Sequence, residues 1–228
     1  MRIYLVGCIP EGKNSDLEER IMKILLAAVN AKYIHSNLAV YSLKAYAEDP
    51  AVEIGEYTIN QQKDDILMDI YKRQPDILCL SCYIWNLDYI EEIVLEIGKL
   101  RPDMPIWLGG PEASYRAKEL VESYPELTGV IVGEGEQTFL ELLTYYLDRD
   151  QKDCIADGIR QGNARWDNTQ QNDADDSIYT IHGLCLRKDH KVIFTPEREL
   201  TDLSELPFLY QDLKQFEHKI IYYETSRG

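Results

Sequence analysis

Positive charge is scarce in this sequence. Lysine and arginine total 24 of its 228 residues, against 40 aspartates and glutamates, so the formal net charge is −16. Nucleic-acid backbones and anionic membrane surfaces are bound by clustered cations, so this balance argues against both as partners. No apolar run reaches the roughly 18 residues that a membrane span needs. We therefore expect no nucleic acid and no membrane among the partners of this chain.

Cysteine is also sparse, with five residues scattered unevenly along the chain. Such scattering does not form the disulfide framework of a small secreted domain. The first residues, MRIYLVGCIPEGK, lack the full pattern of a signal peptide. The apolar fraction of 45% is nevertheless enough to build a sizeable core. These features predict a soluble, cytoplasmic protein from a reducing compartment.

Short apolar runs alternate with stretches of helical periodicity from Met22 to about Asp150. Strands are predicted at residues 24–29, 52–59, 77–80, 106–108 and 130–132. The first of them is apolar throughout, as expected for a strand covered on both faces. Asn37 is the predicted cap of the helix that follows it, and Pro75 requires the second helix to stop before it. Strands alternating with helices predict an α/β fold, a five-stranded parallel sheet with helices on both faces.

The pattern changes after about residue 150. A stretch rich in Gln, Asn and Asp at 161–177 is predicted to be an exposed loop, and residues 179–186 and 192–195 are predicted to form a β-hairpin. Four parts are predicted: an N-terminal extension (1–21), the main domain (22–150), a linker and β-hairpin connector (151–219) and a final strand-like segment (220–228). The sequence does not decide whether the extension belongs to the mature protein. Because the chain ends within that segment, we expect a longer protein that continues beyond Gly228.

Unusual loops follow four of the predicted strands, at the edge where open parallel sheets bind ligands. The candidate residues are Asn30, Ala31, Lys32, Tyr33 and His35 after the first strand, Ser81, Cys82, Tyr83, Ile84 and Trp85 after the third, Gly109, Gly110 and Pro111 after the fourth, and Gly133, Glu134, Gly135 and Glu136 after the fifth. Glycines at two strand ends let a ligand approach the backbone closely. Neither loop is a phosphate loop, because no Lys-Ser/Thr follows, and the first turn lacks G-x-G-x-x-G. A bulky neutral or zwitterionic ligand fits better than a nucleoside triphosphate.

The chain has one C-x-x-C pair, formed by Cys79 and Cys82. On an extended strand, residues three apart point to opposite faces, so these thiols are expected to diverge. No second pair completes a set of four metal ligands. We therefore predict neither a metal site nor a dithiol, and no catalytic constellation stands out elsewhere in the sequence.

Several of these segments resemble the cobalamin-binding domain at the amino end of cobalamin-dependent radical SAM proteins. They are MKILLAAVNAKYIHSNLAVYSLKAYAE, ILCLSCYIWN, WLGGPEAS and GVIVGEGEQTF. The later segments LTDLSELPF and IIYYETSRG resemble the connector and the first barrel strand that follow that domain. The resemblance extends from Met22 to Gly228. It implies that a C-x-x-x-C-x-x-C motif, which holds an iron–sulfur cluster, comes next in the longer protein.

The resemblance implies a flavodoxin-like (Rossmann-like), doubly wound fold with cobalamin at the carboxyl ends of the strands. Residues 30–35 and 81–85 would face the corrin ring. Residues 109–111 and 133–135 would lie along the nucleotide tail. The implied partners are cobalamin and the chain's own radical SAM barrel, which would bring a [4Fe-4S] cluster and S-adenosylmethionine.

One departure from related proteins concerns the lower cobalt ligand. Base-off cobalamin proteins such as methionine synthase carry D-x-H-x-x-G after the first strand. At the same spacing around His35, this chain has Tyr33 in place of Asp and Leu38 in place of Gly. The carboxylate that would orient the imidazole is therefore missing. We predict base-off binding without ligation by His35, with Ile84 or Trp85 near the lower face.

The leading hypothesis is a cobalamin-binding module of a radical SAM enzyme, a methyltransferase or a related radical enzyme, with no catalysis by the fragment alone. A flavodoxin-like binding or regulatory domain is an alternative. A receiver domain would need acidic residues where this chain has Asn30 and Ser81, and a flavin-binding loop would need more hydroxyls than Ser36. A scaffold domain that does not hold cobalamin also stays open.

Overall fold

The computed structural model describes residues 22–161, 176–210 and 213–227. The strands are β1 (Ile24–Asn30), β2 (Val52–Thr58), β3 (Ile77–Ser81), β4 (Ile106–Gly109), β5 (Gly129–Ile131), β6 (Leu184–Lys188) and β7 (Lys191–Phe194). The α-helices are α1 (Leu38–Ala47), α2 (Lys63–Arg73), α3 (Leu87–Leu100), α4 (Pro111–Tyr115), α5 (Ala117–Ser123) and α6 (Glu136–Gln161). None of these helices is long and apolar enough to cross a membrane. The predicted extension at 1–21 and most of the predicted loop at 161–177 lie outside the described residues.

The five predicted parallel strands are confirmed. They lie in the order β2-β1-β3-β4-β5, and every neighbouring pair is parallel. The order reverses at β1, which has β2 on one side and β3 on the other. In a doubly wound sheet this reversal opens a crevice at the carboxyl ends of the strands. The fold is therefore the predicted flavodoxin-like α/β fold, and it places the candidate loops along one edge.

The predicted β-hairpin is present and extends the same sheet. β6 pairs antiparallel with β5, and β7 pairs antiparallel with β6. Asp189 and His190 form the turn with φ of 48° and 63°, as two-residue hairpin loops favour. The first hairpin strand begins later than predicted, because residues Asp176–Thr180 form a 3₁₀ turn. The domain boundary predicted at residue 150 falls inside α6, where no proline interrupts the helix.

Two apolar layers cover the two faces of the sheet. Alternate residues of β1 belong to different layers: Leu25 and Ala27 pack on one face, whereas Leu26 and Ala28 pack on the other. This explains why the run is apolar throughout, as predicted. Trp107 of β4 is fully buried in the second layer, and its Nε1 donates a hydrogen bond to the Tyr146 hydroxyl at 3.0 Å.

Helix ends follow the local sequence. The predicted cap of α1 is confirmed, since the Asn37 side chain accepts a hydrogen bond from the Val40 amide at 3.4 Å. α2 ends at Arg73, and its C-cap residue Gln74 is left-handed with φ of 51°, directly before Pro75. The cap of α1 fixes the start of that helix above the carboxyl end of β1. The first turns of α1 consequently face the edge where a ligand is expected.

Arg187 of β6 ties the hairpin to the end of α5. Its guanidinium donates to the carbonyls of Leu127 and Tyr124, each at 3.0 Å, and to that of Val121. We expect Arg187→Gln to lower the free energy of unfolding by about 3 kcal/mol, because a hydrogen bond to a charged group contributes about 1.5–3 kcal/mol. Urea denaturation measures this change.

Lys188→Gln is the control, since it removes a neighbouring cation whose ion pair is exposed. Exposed pairs contribute little to stability, so this change should have only a small effect. A loss of stability in Arg187→Gln no larger than in Lys188→Gln would show that the three carbonyl contacts do not hold the hairpin in place.

Candidate functional site

A cavity of about 380 Å³ opens at the carboxyl edge of the sheet. Its walls are α1 and the ends of β3, β4 and β5, together with the loops that follow those strands. Most of its surface is apolar, with Trp107, Leu108 and Ile131 among the lining residues. Small-molecule sites are typically concave and mostly apolar, with a few polar groups for orientation. The cavity has both properties and lies where open α/β sheets bind ligands.

The structure brings part of the predicted site together around this cavity. The predicted residues that line it are Ser81, Tyr83, Gly109, Gly110, Pro111, Gly133, Glu134, Gly135 and Glu136. The predicted residues outside its lining are Asn30, Ala31, Lys32, Tyr33, His35, Cys82, Ile84 and Trp85. The first set corresponds to the loops expected along a nucleotide tail, with the addition of Ser81 and Tyr83. The second set comes from the two strand ends expected near the corrin ring.

One wall of the cavity was not predicted from the sequence. It comes from α1, through Leu38, Ala39, Val40, Ser42 and Leu43. A signal was available, because a helix capped at Asn37 directly after the first strand must begin above the same edge. The other missed lining residues include the apolar strand residues already named and also Ser114, Glu224 and Arg227. The last two are distant in sequence, and no local pattern points to them.

Two glycines in the loops adopt backbone conformations that other residues rarely reach. Gly110 has φ of +108°, and a Cβ there would lie 2.5 Å from the Cys82 carbonyl oxygen. Gly133 has φ of +78°, but a Cβ there would meet nothing within 4 Å. The Gly133 amide donates to the Ser114 hydroxyl at 3.1 Å. At Gly110, glycine therefore permits the ends of β3 and β4 to approach each other closely. At Gly133 it permits only the turn.

A buried polar cluster holds the ends of β1 and β3 together. The Asn37 amide donates to the Ser81 hydroxyl at 3.3 Å and to the Asn30 side-chain oxygen at 3.4 Å. Asn86 donates to the carbonyls of Val29 at 3.0 Å and Ser81 at 3.1 Å. Buried polar groups need such partners. The side chains of Asn30 and Ser81 thus help to hold the edge on which a ligand would lie.

An exposed apolar rim lies beside the cavity. Tyr83 and Trp85 stack with ring centroids 4.4 Å apart and an angle of 13° between their planes. Ile84 is 77% exposed, and Tyr33 on the neighbouring strand end is 74% exposed. Clustered exposed apolar side chains often mark binding surfaces. These residues belong to the two loops that the resemblance assigns to the corrin ring, and that assignment stays a prediction.

Glu136 is a buried carboxylate in the cavity wall. It accepts hydrogen bonds from the two terminal nitrogens of Arg227 at 2.6 and 3.1 Å and from the Ser42 hydroxyl at 2.7 Å. Burial alone would raise the pKa of Glu136, but these hydrogen bonds outweigh burial and hold the pKa below its usual value. The carboxylate is therefore ionised within the wall, and Arg227 compensates its charge.

Glu56 of β2 is a second carboxylate that accepts several hydrogen bonds, and it lies beside the end of β1. It accepts hydrogen bonds from the Asn30 amide and the Asn37 backbone amide, each at 3.0 Å, from the Tyr41 hydroxyl at 2.8 Å, and from Lys219. Burial would raise the pKa of Glu56, but the hydrogen bonds from Lys219, Tyr41 and Asn37 lower it further than burial raises it. The folded chain therefore stabilises the charged form.

The lowered pKa of Glu56 predicts a loss of stability in acid. An unfolded glutamate has a pKa of about 4.3, so the stabilisation is complete above that pH and disappears as the pH falls through the lower folded value. We expect Glu56→Gln to lower the urea midpoint at neutral pH and to reduce its dependence on pH below about 4.3. Glu199→Gln, which changes an exposed carboxyl, should keep the wild-type profile. A wild-type profile for Glu56→Gln would contradict this assignment.

The side chain of His35 is oriented by the C-terminal part of the chain. Its Nδ1 shares a hydrogen bond with the Tyr222 hydroxyl, and the two rings stack with centroids 5.8 Å apart. The Tyr222 backbone is held in turn by the Tyr210 hydroxyl, which accepts from its amide at 3.1 Å and donates to its carbonyl. A phenol, rather than a carboxylate, is thus the partner of this imidazole nitrogen.

The predicted divergence of the C-x-x-C thiols is confirmed. Cys79 belongs to the apolar layer on one face of the sheet and Cys82 to the layer on the other. Burial raises the pKa of each thiol to about 12, so both are protonated at neutral pH. Over the described ranges, no group of three or more His, Cys, Asp or Glu side chains is arranged to hold a metal ion.

Comparison with known proteins places this geometry in a family. The family profile described as "B12 binding domain" matches residues 24–143, which is just over half of the chain. That range begins at β1, ends within α6 and includes the parallel strands with all four candidate loops.

Two curated relatives are methyltransferases. The 2-(S-pantetheinyl)-carbapenam-3-carboxylate methyltransferase of Streptantibioticus cattleyicolor is 32% identical over 108 residues, which are 44% of this chain and 15% of the relative. The cobalamin-dependent radical SAM methyltransferase TokK of Streptomyces tokunonensis is 27% identical over 153 residues, which are 63% of this chain and 21% of TokK. This chain therefore spans only about a fifth or less of each relative.

A solved structure has the same fold. It is the cobalamin-dependent S-adenosylmethionine radical enzyme OxsB with aqua-cobalamin and S-adenosylmethionine bound. The TM-score is 0.59 at 16% identity, and the match covers 86% of this chain and 25% of OxsB. The likeness of fold agrees with the family match. The chain belongs to the B12-binding domain family.

Proposed function

We propose that this chain is the cobalamin-binding module of a cobalamin-dependent radical SAM enzyme of the methyltransferase type. The observation that carries the proposal is the cavity at the carboxyl edge, which is formed by the loops of the range matched by the B12-binding family. The two methyltransferase relatives support the reaction class. The radical SAM barrel, its [4Fe-4S] cluster and S-adenosylmethionine would act beside this module.

The residues at the edge fit a corrinoid. A cavity of about 380 Å³ is too small for a whole cobalamin but can hold a part of it such as the nucleotide tail. The missing side chains of Gly109 and Gly133 leave backbone groups close to such a ligand. The exposed rim of Ile84 and Trp85 offers flat apolar contact to the ring. Carboxylates and hydroxyls in the wall can accept hydrogen bonds from corrinoid amides.

The proposed division of roles follows the structure of the edge. The ring would lie against the loops that follow β1 and β3, and the tail would enter the cavity between residues 109–111 and 133–136. When bound, cobalamin supplies a cobalt centre that carries a methyl group between a donor and an acceptor. The residues of this chain bind it, orient it and exclude water from its tail.

We further propose base-off binding without cobalt ligation by His35. Tyr33 stands where ligating relatives carry the aspartate, and Nδ1 of His35 is hydrogen-bonded to Tyr222, a neutral partner. A neutral phenol polarises an imidazole less than a carboxylate does. Electron paramagnetic resonance of the cob(II)alamin form should therefore show no nitrogen hyperfine splitting from a lower ligand. Nitrogen hyperfine splitting that is present in the wild type and absent from His35→Ala would contradict this proposal.

Cobalamin binding itself is tested by titration of the purified chain with hydroxocobalamin, followed by visible absorption. We expect a shifted spectrum that saturates at equimolar ligand. A chain that is folded by circular dichroism but leaves the hydroxocobalamin spectrum unchanged would contradict the proposal and favour a scaffold domain. Cyanocobalamin, titrated in parallel, serves as a second corrinoid with a less exchangeable upper ligand.

A further inference from the structure

Residues 219–227, here called the C-terminal strap, cross the carboxyl edge of the sheet. The Ile220 amide donates to the Ile34 carbonyl at 2.6 Å, and the Ser36 amide donates to the Ile220 carbonyl at 3.2 Å. These contacts form a parallel bridge between the strap and the loop after β1. The strap therefore lies against the loop that would face a bound ligand.

Ion pairs fasten the strap at both ends. Lys219 pairs with Glu56, whose side chain is 11% exposed. Arg227 pairs with Glu136, whose side chain is 5% exposed. Both carboxylates belong to the sheet domain, one on β2 and the other at the start of α6. The strap is thus held on two sides of α1.

Only the second of these ion pairs reaches the cavity. Arg227 and Glu136 both line it, and so does Glu224, which accepts a hydrogen bond from Arg227 at 2.7 Å. Glu134 lies 3.8 Å from the same guanidinium. Removal of Arg227 would leave a buried carboxylate without its counter-charge, which is strongly unfavourable. The end of the strap would consequently lose its position in the wall.

We infer that Arg227 is a positioning residue: through Glu136 it seats the strap as a wall of the cavity and sets how fast a bound corrinoid leaves. This inference rests on the proposed function. A purely structural role in stabilising the start of α6 would change the melting temperature without changing the release of ligand. Ligand release is therefore the readout that separates the two roles.

The experiment compares Arg227→Gln and Arg227→Lys with a matched control, Arg198→Gln. Arg198 pairs with Glu141 of α6 at 2.6 Å and is 16% exposed, close to the 18% of Arg227, but it does not line the cavity. Each chain is loaded with hydroxocobalamin, and the dissociation rate is measured by absorption after dilution. Amide exchange of peptides spanning 34–36 and 219–222 is measured by mass spectrometry without ligand.

We expect Arg227→Gln to release hydroxocobalamin about tenfold faster or more, because breaking a buried ion pair is strongly unfavourable and would free the strap that forms one wall of the cavity. The strap peptides should also exchange faster, whereas those of β1 should not. Arg227→Lys keeps the charge but loses the paired hydrogen bonds. Its dissociation rate should therefore lie between those of the wild type and Arg227→Gln. Arg198→Gln should match the wild type in both measurements.

A wild-type dissociation rate in Arg227→Gln would overturn the inference and leave the proposed function intact. Should Arg227→Gln fail to fold, a wild-type rate in Arg227→Lys would overturn it equally. If the wild-type chain retains no cobalamin, the proposed function fails and the inference fails with it. The three results are distinguishable from one another.

Discussion

Gly109→Leu is expected to weaken cobalamin binding by about a hundredfold or more while the chain stays folded. Gly109 ends β4 and lines the cavity, and a Cβ built there meets only Ile131, at an ordinary contact distance of 3.8 Å. A larger side chain can therefore be accommodated by the protein only by extending into the space proposed for the nucleotide tail. Titration with hydroxocobalamin measures the affinity, and urea denaturation confirms the fold.

Gly109→Ala is the graded control for this prediction. A single methyl group fills little of the cavity. The affinity of Gly109→Ala for hydroxocobalamin should therefore stay within about tenfold of that of the wild type. If Gly109→Leu folds and binds hydroxocobalamin as tightly as Gly109→Ala, the ligand does not use this cavity, whatever its total affinity for the chain.

The second large effect concerns folding rather than binding. Gly110→Ala is expected to lower the free energy of unfolding by about 3 kcal/mol, the sum of a strained left-handed backbone and an overpacked contact. The methyl group would lie 2.5 Å from the carbonyl oxygen of Cys82, a backbone atom that cannot rotate away. The Cys82 amide is itself tied to the Gly109 carbonyl at 2.7 Å.

Gly133→Ala provides the matched control, because Gly133 shares the positive φ but has open space around its Cβ position. Its loss of stability should be only about 1 kcal/mol, the contribution of the backbone alone. Equal losses in the two variants would mean that the close approach of Gly110 to Cys82 does not occur.

The strand pattern and the loops after the strands could be predicted from sequence for one physical reason. A strand buried on both faces is apolar throughout, so β1 and β3 stand out against polar surroundings. Their carboxyl ends must then meet at one edge, and glycines at Gly109, Gly110 and Gly133 become informative through their position. Local signals were sufficient here, because the fold class itself brings the loops together.

Two parts of the site were not predicted from the sequence. Arg227 reaches the cavity through pairing with Glu136, a contact between residues 91 positions apart, and nothing in the local sequence of either residue indicates it. Ala39 and Ser42 of α1 carry no chemical signature of their own. Their role follows from the helix cap at Asn37, which sets the direction of the helix across the edge.

The hairpin and the domain boundary illustrate a different limit. A hairpin was predicted from residues 179–186 and 192–195, but the antiparallel pairing of β6 with β5 depends on tertiary contacts such as that between Arg187 and the end of α5. The boundary predicted at residue 150 falls within α6, since helix-compatible residues carry no mark of where a domain ends, and it stays a prediction.

Above all, we propose that the cavity at the carboxyl edge binds cobalamin. The most direct test loads the wild-type chain and Gly109→Leu with hydroxocobalamin, desalts both, and measures the corrinoid that each retains by visible absorption. We predict nearly stoichiometric retention by the wild type and almost none by Gly109→Leu, with both chains folded. Equal retention by the two proteins, or none by a folded wild type, would contradict the claim.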